Sequence, residues 1–287
     1  MSGAIVVGTD GSEESKRAVD WGAAEAALRR RPLHLVHAVE GWPYRAPLLP
    51  SAAEDARLTG AGDALLEAAR DRVRARWPDL ETTTALVAEE TTKALTEQSE
   101  DAFQLVLGSR GRGGFASMLL GSTSRRMASQ STVPVVIVRG EGTEGGEVVV
   151  GLDLSWESGR VLDYAFDAAA VRGARLRVVH AWTVVGMPVE AAWVVDEEAV
   201  QRELAERVTA AHAPLRSRYP QVEVVEDVVM EHPVNALSDA SEGAGLLVVG
   251  AHHRHWDTFR LGSVSHGAVH HADAPVAVVP YGLNDES

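Results

Sequence analysis

The 287 residues carry 27 basic and 41 acidic side chains, a formal net charge of −14, and no cysteine. Without a thiol there is no disulfide framework, cysteine zinc site, iron–sulfur cluster or cysteine nucleophile. The acidic balance argues against nucleic acid or an anionic membrane as a partner, because both demand a basic surface that replaces counter-ions.

At 45% apolar and 24% charged residues, the composition is that of a soluble globular protein. No apolar run approaches the ~18 residues of a membrane span, and Asp10 interrupts the apolar start too early for a signal peptide, so a cytoplasmic location is expected.

In chain order, short apolar and β-branched runs alternate with longer segments of helical spacing. Residues 4–8, 33–39, 83–88, 105–107 and 135–138 read as strands, and 13–30, 63–76, 92–101 and 122–130 as helices. The order then returns, with strands expected at 148–151, 176–181, 222–230, 246–249 and 276–279. Runs this apolar suit parallel strands covered by helices on both faces. The expected fold class is α/β: two tandem doubly wound Rossmann-like domains, each a five-stranded parallel sheet flanked by helices.

Self-comparison supports the duplication. Val6-Val-Gly-Thr-Asp10-Gly-Ser12 recurs as Val149-Val-Gly-Leu-Asp153-Leu-Ser155, an offset of 143 between Asp10 and Asp153. Leu33-His-Leu-Val-His37-Ala38 returns as Leu176-Arg-Val-Val-His180-Ala181 at the same offset. Leu105-Val-Leu-Gly108 matches Leu247-Val-Val-Gly250 at 142, and Val133-Pro134-Val135 matches Ala274-Pro275-Val276 at 141, so single residues have dropped out of loops. The expected domains are 1–140 and 148–287, with the Gly- and Glu-rich 141–147 as linker.

In an open parallel sheet, ligands bind beyond the carboxyl ends of the strands. After the first strand, Asp10-Gly11-Ser12 offers an acid, a glycine for a tight turn and a hydroxyl able to cap the next helix. It reads either as helix capping alone or as a carboxylate that accepts hydrogen bonds from a ribose.

After the fourth strand runs Gly108-Ser-Arg110-Gly111-Arg112-Gly113-Gly114, followed by Gly121-Ser122-Thr123. Glycines let backbone amides converge on an anion, and a helix opening at Gly121 adds free amides and its positive dipole end. Residues 102–138 hold four arginines (Arg110, Arg112, Arg125, Arg126) and no acid. Together these features favour phosphate binding. There is no G-x-x-x-x-G-K-S/T, and the glycines do not follow the first strand as G-x-G-x-x-G, so neither a P-loop hydrolase nor a dinucleotide site is indicated.

The spacing Gly108-x2-Gly111-x9-Gly121-Ser122, with the Asp10-Gly11-Ser12 turn before it and Thr132-Val-Pro134-Val after it, resembles the universal stress proteins, and the duplication resembles their two-domain members. The resemblance implies an ATP-binding protein of the stress response. Gly108, Gly111, Gly121 and Ser122 are then phosphate ligands, Asp10 the ribose ligand, and Ala38 or Val39 the adenine contact. Arg112 and Thr123 are added from charge and position. The implied cofactor is ATP, with Mg²⁺ left open. In this family, fifth strands pair two domains edge to edge, which implies an intrachain pseudo-dimer and leaves a homodimer open.

The second copy departs from the pattern. His253 stands where the second glycine belongs, and eight residues rather than nine precede Gly262-Ser263. The first domain is therefore expected to be the main holder of the nucleotide, binding it more tightly than the second. His252, His253, His255, His266 and His270 read as a variant loop and helix-surface residues rather than metal ligands. Two alternatives to a regulatory nucleotide-binding protein remain: a slow ATP-hydrolysing or phosphoryl-transfer enzyme, for which residues 102–138 supply no base, and an interaction scaffold with a vestigial site. The expectation is a non-enzyme.

Overall fold

Ten strands and the helices between them place almost every long apolar run of the sequence in the interior of one of two compact units, Met1–Arg139 and Gly140–Ser287. The computed structural model describes residues 3–39, 52–111, 120–140, 143, 145–155, 157–183, 196–251 and 261–281.

The first unit runs β1 (Ile5–Gly8), α1 (Glu13–Arg29), β2 (Leu33–Ala38), α2 (Ala52–Arg76), β3 (Thr82–Val87), α3 (Thr91–Ser99), β4 (Gln104–Gly108), α4 (Ser122–Gln130) and β5 (Val135–Val138). Its strands are parallel and ordered β3-β2-β1-β4-β5. β1 is central, with Ile5 paired to Leu33 on one side and Gln104 on the other. Helices cover both faces of such a sheet, so Ile5, Val6, Val7, Leu105, Val106, Val136 and Ile137 are all buried, and β1 and β5 carry no polar alternation.

Local chemistry sets the helix limits. Ser12 caps α1 by accepting the Ser15 N–H at 3.2 Å, and Glu13 and Glu14 occupy the positive end of its dipole. The helix ends where Arg30 takes a left-handed conformation, φ 52°, its N–H turned back to the carbonyls of Ala26 and Ala27. α2 starts eleven residues before the expected position 63, at Ala52. Gly60 and Gly62 hide that extension, because glycine in a helix interior reads as a breaker. A Cβ on Gly62 would stand 2.5 Å from Leu86 Cδ1, so a larger residue there would need the Leu86 side chain to shift.

The second unit repeats the plan as β6 (Val148–Gly151), α5 (Ser158–Arg172), β7 (Leu176–Trp182), α6 (Glu197–Arg218), β8 (Val224–Met230), α7 (Pro233–Ser241), β9 (Leu246–Ala251), α8 (Ser263–His271) and β10 (Val276–Pro280). Its order, β8-β7-β6-β9-β10, is again parallel. Described residues of the Gly- and Glu-rich segment are bound to this unit. Thr143 N–H donates to the Ala244 carbonyl at 3.2 Å, and Glu147 pairs with Arg175 and Arg177, each at 2.7 Å. Among the described residues, no helix is long and apolar enough to cross a membrane.

Candidate functional site

In the first unit the strand order reverses between β1 and β4, so the loops leaving these strands diverge and open a crevice. A cavity of about 340 Å³ lies there, with Asp10, His37, Ala38, Gly111, Ser122 and Thr123 in its lining.

Asp10 divides its two oxygens between structure and cavity. Oδ1 accepts from the Ser12 N–H at 3.0 Å and from Ser12 Oγ at 2.6 Å, closing the turn in which Gly11 takes φ +77°. Oδ2 lies toward the glycine loop, 2.6 Å from where a Cβ on Gly111 would stand.

The three matched glycines have different surroundings. Gly108 is buried at the end of β4, where a Cβ would meet the Glu14 backbone at 2.8 Å, and its carbonyl accepts from Ser124 Oγ at 2.7 Å. Gly111 lets the loop approach Asp10. Gly121 uses its own N–H to close the loop onto the Ser109 carbonyl at 2.8 Å, and α4 begins after it without a side-chain cap. Ser122 and Thr123 therefore bring the positive end of that helix to the cavity wall.

Ala38 lines the cavity at the end of β2, while the next residue, Val39, donates its N–H to the Val87 carbonyl at 2.8 Å. Arg112, with residues 113–119, lies outside the described residues. The charge of the acid-free stretch is tempered by acids from other elements. Arg110, in the cavity lining, pairs with Glu14 at 3.1 Å, and Arg126 reaches Glu90 at 3.5 Å.

Sequence reasoning assigned no role to His37, although the repeat aligns it with His180. Each imidazole donates from Nδ1 at 2.8 Å to a carbonyl just before the acid, His37 to Thr9 and His180 to Leu152.

The second unit holds a cavity of about 240 Å³ in the corresponding place, lined by Asp153, Ala181, Gly250, Gly262, Ser263 and Tyr281 among others. Asp153 Oδ1 accepts from the Ser155 N–H at 2.9 Å and Ser158 Oγ at 2.6 Å, and Oδ2 from the Tyr281 hydroxyl at 3.0 Å. Burial opposes ionisation of Asp153, but these hydrogen bonds prevail and hold its carboxyl below the usual range. Burial, together with the neighbouring Asp153 carboxylate, raises the Tyr281 phenol above its ordinary value.

His252, His253 and His255 lie outside the described residues. On α8 the rings of His266 and His270 are 4.3 Å apart by centroid, and among the described residues no three His, Asp or Glu side chains converge as a metal site.

The molecule is thus a tandem α/β protein in which each unit sets an acid, a helix start and a crevice at the switch point of a parallel sheet. The sequence model of the universal stress protein family matches residues 1–139 and 146–280. A universal stress protein of Mycolicibacterium smegmatis is 35% identical over 292 aligned residues, covering 96% of both chains. One from Mycobacterium tuberculosis is 36% identical over 289, again covering 96% of both. The crystal structure of a universal stress protein from Archaeoglobus fulgidus shares the fold, with a TM-score of 0.73 and 20% identity over 99% of this chain and 97% of that one. The chain belongs to the universal stress protein family, with one family domain in each half.

Proposed function

We propose that the protein is a regulatory, stress-response binder of adenine nucleotide that holds ATP mainly in its first unit and acts through occupancy rather than turnover. The observation that carries this reading is the meeting of Asp10 and Gly111 across one cavity, with the start of α4 in the same wall. Asp10 Oδ2 would accept from the ribose hydroxyls, the first amides of α4 would hold phosphate, and Ala38 would border the adenine. Mg²⁺ would accompany the phosphates as their counter-ion. A cytoplasmic setting would supply that ligand.

Binding to the folded state alone stabilises it by mass action, about 2.7 kcal/mol at a hundred times the dissociation constant. Melting of the full chain with millimolar ATP, ADP or AMP tests the reading. ATP is expected to raise the melting temperature, Asp10→Ala to remove most of the rise, and neither protein to form ADP from ATP. If no nucleotide raises it, the reading fails.

A further inference from the structure

The two crevices differ in what stands beside the acid. With the halves aligned on Asp10 and Asp153, α5 begins at Ser158, the counterpart of Ser15, two residues later than α1 begins at Glu13. Leu154, in the place of Gly11, takes the left-handed φ of 56° that glycine adopts in the first copy.

The space left by the shorter helix is filled by Tyr281. A Cβ on Gly108 would meet the Glu14 backbone of α1 at 2.8 Å, whereas a Cβ on Gly250 would meet Cζ and Oη of Tyr281. The phenol, 4% exposed, therefore packs on β9 where a helical turn packs on β4 in the first unit. From there its hydroxyl reaches Asp153 Oδ2. The residue at the corresponding position after β5 is Gly140, which has no side chain to send.

We propose that Tyr281 is an internal competitor for Asp153 that sets the specificity of the second crevice, excluding ribose-bearing ligands by holding the carboxylate oxygen a ribose would need. The chemistry is one of acceptors. Oδ1 is engaged by Ser155 and Ser158, and Oδ2 by the phenol that lines the same cavity, so a ribose hydroxyl must compete at Oδ2 with a buried donor that has lost its water. In the first unit Oδ2 of Asp10 lies toward Gly111, and the position of Tyr281 is taken by Gly140. The inference rests on the proposed function only in taking ribose as the group that Asp10 meets.

Equilibrium dialysis of the full chain against radiolabelled ATP counts the sites. Wild type is expected to bind one equivalent. Tyr281→Phe, which keeps the ring against Gly250 and removes the hydroxyl, is expected to bind two, and Tyr281→Phe with Asp153→Asn one. Tyr281→Leu, which removes the hydroxyl with a different shape, is expected to show the same gain should the Phe variant fail to fold. A folded hydroxyl-free variant that gains no equivalent overturns the proposal, as does a wild type that already binds two. A wild type that binds none refutes the first-unit reading alone, since a gain of one equivalent in the variant still upholds the role of Tyr281.

Discussion

His37 donates from Nδ1 to the carbonyl oxygen of Thr9 at 2.8 Å, tying the end of β2 to the loop that presents Asp10. The bond fixes a backbone carbonyl rather than a ligand, which makes His37 a positioning residue. His37→Leu is expected to weaken ATP binding about tenfold, the equivalent of one hydrogen bond of about 1.4 kcal/mol. Isothermal titration would show this, and His37→Asn should restore part of the loss if the donated hydrogen bond is responsible.

Gly111 and Gly60 test close approach against helix propensity. A Cβ on Gly111 would stand 2.6 Å from Asp10 Oδ2, so Gly111→Ala must turn the carboxylate aside. Its expected effect is a tenfold or greater loss of ATP affinity, on the order of 1.4 kcal/mol, with little change in melting temperature. Gly60 has nothing within 4 Å of its Cβ position and lies inside α2, so Gly60→Ala should stabilise by about 0.5–1 kcal/mol without touching affinity. Urea denaturation and nucleotide titration of both variants separate the two effects.

Glu25 and Arg29 form a buried pair on α1, 2.5 Å apart with side chains 3% and 4% exposed, and the guanidinium lies 4.6 Å from the centroid of Phe103. Removing one partner takes from the other its close counter-charge while leaving it buried. Glu25→Ala should cost about 3–5 kcal/mol in urea denaturation, whereas replacing both residues with apolar ones of similar volume should cost much less.

His34 gives the first unit a dependence on pH. Burial lowers its pKa, against a smaller opposing push from the hydrogen bond to Gln98. The unfolded chain therefore takes up a proton more readily than the folded one. The contribution to stability is complete above the unfolded pKa of about 6.5 and is lost as pH falls through the folded value. Between pH 7.5 and 5.5 the melting temperature should fall more steeply in wild type than in His34→Gln. Equal slopes would refute the assignment.

What the sequence reveals here depends on how far apart the interacting residues lie. β5 and β6 match their expected limits because strands buried on both faces read as unbroken apolar runs. Ser12 was legible as a cap because its partner is three residues away. The pairing of Arg110 with Glu14 was not, because the acid arrives from another element and a local charge count cannot include it. Tyr281 escaped notice for the same reason, since a lone tyrosine after the last strand gives no sign of an acid 128 positions earlier. The early start of α2 was hidden by Gly60 and Gly62, of which Gly62 packs closely on Leu86 while Gly60 faces open space.

Asp10 and Gly111 belong to distant stretches of chain that the pairing of β1 with β4 brings together, in the register Ile5 to Gln104, Val6 to Leu105 and Val7 to Val106. Closing so long a loop is costly in chain entropy, and this junction is a seam between distant parts of the chain. A ligand that spans it acts as a rivet across that seam. Slower unfolding and resistance to proteolysis in the occupied protein would then be the same event as recognition.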